Sequence, residues 1–158
     1  MKKYTYIKDL SEHVGQEVTL AGWCYNKRGS KKLSFIIVRD GTGMCQAVAF
    51  KPGLSPEIVE TCAKVEQETS IIVSGIVKAD EKQIGGYELE LKNIEIVSES
   101  VEYPISPKVH GVAFLMEHRH LWLRSKKQHA ALRVRHTIIK AIRDYLNNND
   151  FKIGRAHV

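Results

Sequence analysis

The chain has 158 residues, 43% of them apolar and 27% charged, with a formal charge of +6 at pH 7. That length holds one domain, or one domain and part of a second, and that composition excludes wholesale disorder. The basic balance suits an anionic partner such as nucleic acid, while no apolar run approaches the ~20 residues of a membrane span.

Val18 to Tyr25 alternates as a first strand, and the charged and small residues 27–32 break the pattern as a loop. Leu33 to Val38 is a β-rich run. Asp40-Gly41-Thr42-Gly43 is a hairpin signal, and Met44 to Phe50 returns as a third strand. The second and third strands are apolar at both parities, which predicts cover on both faces. Ser55, Pro56 and Glu57 open a helix as cap, first helical residue and acidic first turn, and Ile58, Val59, Cys62 and Val65 give it a stripe. Ile71 to Val77 is a fourth strand. Gly85-Gly86 is a turn, and Tyr87 to Val97 is a fifth strand. Three strands, a helix and two strands is the order of an OB-fold, a five-stranded Greek-key barrel that commonly binds oligonucleotides. The expected class is therefore mainly β.

Past residue 100 the character changes. Pro104 and Pro107 exclude a helix interior and predict an extended linker. From Ser125 the apolar period becomes helical, through Ala131, Val134, Ile138, Ala141 and Tyr145, and residues 147–150 end it. The expected organisation is a barrel over 1–100, a linker or hinge over 101–124, a helical start of a second domain over 125–151, and a non-native tail over 152–158. The tail gives neither a strand alternation nor a helix stripe. Its codons can be written AAG ATC GGA AGA GCA CAC GTC, which from the second base onward is the start of a widely used sequencing-library adapter.

Single-stranded bases are held by stacking on aromatic rings and by hydrogen bonds to their edges, above a positive groove. Phe35 is the candidate ring. Gln46 is the candidate edge-reader, because an amide both donates and accepts. Lys27, Arg28, Lys31 and Lys32 cluster in the predicted first loop, with Lys27, Lys31 and Lys32 as candidate phosphate contacts. A core phenylalanine, an outward polar glutamine and a solvated loop are the alternatives. Cys24, Cys45 and Cys62 are odd in number and lack CxxC spacing, which predicts three buried thiols in a reducing compartment. His118, His120, His129 and His136 lack a metal-ligand pattern, so no metal site is expected.

Residues 18–29 (VTLAGWCYNKRG), residues 35–43 (FIIVRDGTG) and Gln46 resemble the anticodon-binding domain of the class II aminoacyl-tRNA synthetases for aspartate, asparagine and lysine. The resemblance implies that Phe35 stacks on the central uracil of an anticodon and that Gln46 hydrogen-bonds the same base. It further implies that Arg28 contacts the anticodon, and that a glutamate of the fifth strand reads the first anticodon base. Glu88 is the nearest match, with Glu90 as the alternative register. Residues 103–125 (YPISPKVHGVAFLMEHRHLWLRS) resemble the asparaginyl enzymes of that group. Trp122 stands where the aspartyl ones usually carry another residue.

The helix from residue 131 resembles the entry to the group's motif 1, at the start of an incomplete class II α+β catalytic domain. The motifs that clamp ATP are not in this sequence. The resemblance thus implies the tRNA(Asn)-recognising part of an asparagine–tRNA ligase, with no catalytic residues here. ATP, magnesium and a homodimer belong to the full-length cytoplasmic enzyme. A stand-alone OB-fold single-strand binder and an aspartyl enzyme are the alternatives.

Overall fold

The computed structural model describes residues 4–152 and 154 and divides the chain into two units, between Tyr103 and Pro104. The first unit is a closed barrel of five strands: β1 (Glu17–Gly29), β2 (Leu33–Arg39), β3 (Met44–Phe50), β4 (Ser70–Ala79) and β5 (Tyr87–Ser98). Their order around the barrel is β1-β2-β3-β5-β4, with the β3–β5 pair parallel and the other pairs antiparallel. The strands are bent hard enough that a Cβ on Gly75 of β4 would lie 2.1 Å from the Glu90 carbonyl oxygen. Only glycine fits such a corner.

Alternate residues point inward, and Leu20, Ile36, Val38, Ile71, Val73 and Leu89 fill the interior. A 3-10 turn over Ile7–His13 closes one end with Ile7 and Leu10. The Asp40 carboxylate fastens that turn. One oxygen accepts from the Ile7 amide at 2.8 Å, while the other accepts from the Thr42 and Gly43 amides in the β2–β3 hairpin. Helix α1 (Pro56–Lys64) lies between β3 and β4 in the chain. Ser55 caps it by accepting from the Ile58 amide, and Cys62 and the following Val65 carry its stripe into the core.

Two expectations are corrected. Strand β1 does not stop at Tyr25 but runs to Gly29, so Lys27 and Arg28 are strand residues. The pattern breaks because the β1–β2 register shifts between Cys24 and Asn26. The bulge exchanges the parity of the residues after it. The loop from α1 to β4 covers the shifted segment: the Cys24 amide donates to the Thr69 carbonyl at 2.9 Å, and the Glu68 amide donates to the Cys24 carbonyl at 2.7 Å. The outer faces of β2 and β3 are also not fully covered. Leu33, Phe35 and Ile37 are only half-buried, as is Val48.

In the second unit residues 104–111 have no regular structure, and two short helices follow, α2 (Val112–Glu117) and α3 (Arg119–Trp122). The His110, Phe114 and His118 rings form a column, with centroids 4.8 and 4.4 Å apart. Helix α4 (Lys126–Asn148) starts at Ser125, whose hydroxyl accepts from the Gln128 amide. It buries none of its residues. The expected non-native tail lies outside the described residues except for Lys152 and Gly154.

Candidate nucleic-acid interface

The outer faces of β1, β2, β3 and β5 bring together the residues singled out in the sequence. Because of the bulge, Arg28 and not Lys27 sits opposite Phe35, as its register partner on β2. The Arg28 guanidinium carbon lies 5.3 Å from the centre of the Phe35 ring, a cation–π distance. Its Nη2 donates to Gln46 Oε1 at 3.1 Å. Gln46 points outward from β3 yet is only 5% exposed, with Ile37 of β2 on one side as register partner and Glu88 of β5 on the other.

Glu88 and Glu90 both face outward, and the structure separates their surroundings. Glu90 is bound to Lys78 at 2.8 Å, and that pairing raises the Lys78 pKa above its ordinary value, with the nearby Glu88 charge adding a smaller push. Glu88 is half-buried and sits beside Gln46 without an ion pair among the described residues.

The lysines divide. Lys31 and Lys32 are exposed in the tight β1–β2 turn. Lys27 faces away from Phe35, and its ammonium donates to the Cys62 and Ala63 carbonyls at 3.2 and 2.8 Å. Those are carbonyls of the last turn of α1, where a cation satisfies both the orphan acceptors and the negative end of the helix dipole. Four residues from four strands thus form one patch, namely Arg28, Phe35, Gln46 and Glu88. Lys27 does not join them.

One aromatic escaped the sequence reading. Phe50 ends β3 on the same outward parity as Gln46 and is 52% exposed. The period of two from Gln46 to Phe50 was the available signal. A flat ring, an amide, a carboxylate and a guanidinium on one exposed sheet suit a planar heteroaromatic ligand with hydrogen-bonding edges. Among the described residues no group of three or more His, Cys, Asp or Glu side chains is placed to hold a metal ion.

Comparison with known proteins agrees with this chemistry. Residues 18–97 match the family described as the OB-fold nucleic acid binding domain, and residues 112–153 match the class II tRNA synthetases (D, K and N). The asparagine–tRNA ligase of Chloroflexus aurantiacus is 50% identical over 145 residues, which are 92% of this chain and 33% of that protein. That of Desulforamulus reducens is 49% identical over 149 residues, 94% of this chain and 34% of that one. The chain therefore spans about a third of the length of the curated relatives it matches. The solved asparaginyl-tRNA synthetase of Pyrococcus horikoshii, complexed with asparaginyl-adenylate, superposes with a TM-score of 0.86 at 36% identity, covering 94% of this chain and 35% of that one. A putative aspartyl-tRNA synthetase from Leishmania major, at 23% identity and a TM-score of 0.87, is alike in fold.

Proposed function

This chain belongs to the family of OB-fold nucleic acid binding domains, and from that premise we propose that it is the anticodon-reading part of an asparagine–tRNA ligase. The observation that carries the reading is the patch itself. Phe35 offers a stacking surface, Gln46 and Glu88 stand side by side as hydrogen-bonding groups, and Arg28 adds positive charge, all on the outer face of one barrel. The amino acid is argued from the second unit. Residues 103–125, with Trp122, resemble the asparaginyl enzymes, and the similar ligases are named for asparagine.

In this reading Phe35 stacks on the central uracil of a GUU anticodon, Gln46 binds its edge, and Glu88 accepts from the guanine at the first position. Lys31 and Lys32 lie where they can meet phosphates. The full-length enzyme would join asparagine to tRNA(Asn) in the cytoplasm, as a homodimer. ATP and magnesium would supply activation there, in parts of the enzyme that this chain does not contain. No helix among the described residues is long and apolar enough to cross a membrane.

The test is a titration of the 158-residue chain with an anticodon stem-loop bearing GUU and with a scrambled loop. The GUU loop binds more tightly, and Phe35→Ala costs about 1–3 kcal/mol, the usual stacking loss per base. Equal binding of both loops, unchanged by Phe35→Ala, overturns the assignment.

A further inference from the structure

A glutamine amide is an ambiguous reader. Its oxygen and nitrogen are nearly the same size, and one half-turn of the amide exchanges an acceptor for donors. Uracil shows an acceptor at O4 and a donor at N3, whereas cytosine shows donors at N4 and an acceptor at N3. A free amide can match either base by flipping, so Gln46 alone does not explain a choice of uracil.

Arg28 removes the ambiguity. A guanidinium has five donors and no acceptor, so the atom of Gln46 that it touches must be Oε1, as the 3.1 Å bond from Nη2 shows. Flipping the amide would set Nε2–H against Nη2–H. Gln46 is 5% exposed, so water cannot readily relieve that clash. The guanidinium is itself held at 5.3 Å from the Phe35 ring centre, and the β1 bulge places Arg28 opposite that ring. Oε1 has a second lone pair.

Resting on the reading above, we propose that Arg28 is a positioning residue that locks the Gln46 amide in the uracil-reading orientation and so rejects cytosine at the central position. With the amide locked, Nε2–H donates to uracil O4, and Oε1 accepts from N3–H through its free lone pair. The base stacks on the part of the Phe35 ring that the guanidinium leaves open. Cytosine meets a donor with a donor and an acceptor with an acceptor.

The experiment titrates the full chain and its variants with two stem-loops that differ only at the central base, GUU and GCU. The parent prefers GUU roughly tenfold or more, the scale of a donor left unpaired in a buried site. Arg28→Met, which keeps a long apolar stem but no donor, lets the ratio fall toward one. Arg28→Lys, still donor-only, retains a preference for GUU. Gln46→Glu, which has two acceptors and no donor, meets one donor and one acceptor on either base, so its ratio also falls toward one. Thermal melts of each variant show that it is folded. If Arg28→Met weakens both loops equally and leaves the ratio intact, Arg28 is a phosphate contact and the lock is wrong, while the anticodon reading stands. If the parent binds neither loop, both fall.

Discussion

Glu68 adopts a left-handed backbone, φ 66°, and its side chain is only 4% exposed. Both carboxylate oxygens accept from the Arg39 guanidinium, at 2.8 and 2.7 Å, in a forked pair. Removing Arg39 takes both forked hydrogen bonds from a buried carboxylate, so Arg39→Ala should lower the unfolding free energy by roughly 3–5 kcal/mol. A urea melt with an unchanged midpoint would refute this. The cysteines make a second prediction at this scale. Burial pushes the Cys45 thiol up to about 12 and the Cys24 thiol up to about 11, and raises Cys62 as well. An acid with a raised folded pKa binds more protons folded than unfolded. Its contribution is therefore complete below the unfolded value near 9.0 and is lost as pH rises through the folded value. The urea midpoint should fall between pH 9 and about 12, and Cys45→Ala should flatten the fall. A slope equal to the parent's would show that other groups cause it.

At the scale of the element, β1 shows where the sequence was legible and where it was not. Strand existence and order could be read because the barrel interior imposes a strict period of two, as from Val18 through Cys24. The bulge at Tyr25 could not, because a one-residue shift looks the same in sequence as the end of a strand. Lys27 and Arg28 were consequently grouped with Lys31 and Lys32 in one loop, although the structure sends their side chains to different places. Phe35 and Gln46 were recognisable as candidates from residue type and parity, whereas which of Glu88 and Glu90 stands beside Gln46 could be read only from the β3–β5 register. The division of the lysines can be measured. Replacing Lys31 and Lys32 by Gln should reduce the salt slope of RNA binding by about 0.7 for each lost phosphate contact on a single strand. Lys27→Met should leave the slope alone and cost about 0.3–1 kcal/mol of stability, the scale of a cation at a helix C-terminus. A Lys27→Met variant with a flattened slope would put that ammonium on the RNA instead.

For the whole molecule, the two units call for different expectations. Trypsin should cut at exposed Lys108, in the irregular segment 104–111, and leave a barrel fragment with the parent's RNA affinity. Loss of binding on cleavage would mean that the second unit contributes to the interface. Helix α4 exposes Val134, Ile138, Ile142 and Tyr145, each more than half accessible. Such a face should drive concentration-dependent self-association, and a sedimentation coefficient that does not change with concentration would refute this. The chain should show no asparagine-dependent ATP–pyrophosphate exchange, and exchange above a mock preparation would contradict that.

The closure of the barrel has a kinetic side. Strands β4 and β5 pair along ten residues, whereas the parallel β3–β5 contact joins only Gln46, Ala47 and Val48 to Glu88, Leu89 and Glu90. This short contact is where the cylinder opens at least cost, and it carries Gln46 and Glu88 on opposite lips. A ligand that grips both lips works as a clasp. Bound RNA should therefore slow deuterium uptake most at the amides of residues 46–48 and 88–90, ahead of the long β4–β5 ladder, which is closed already.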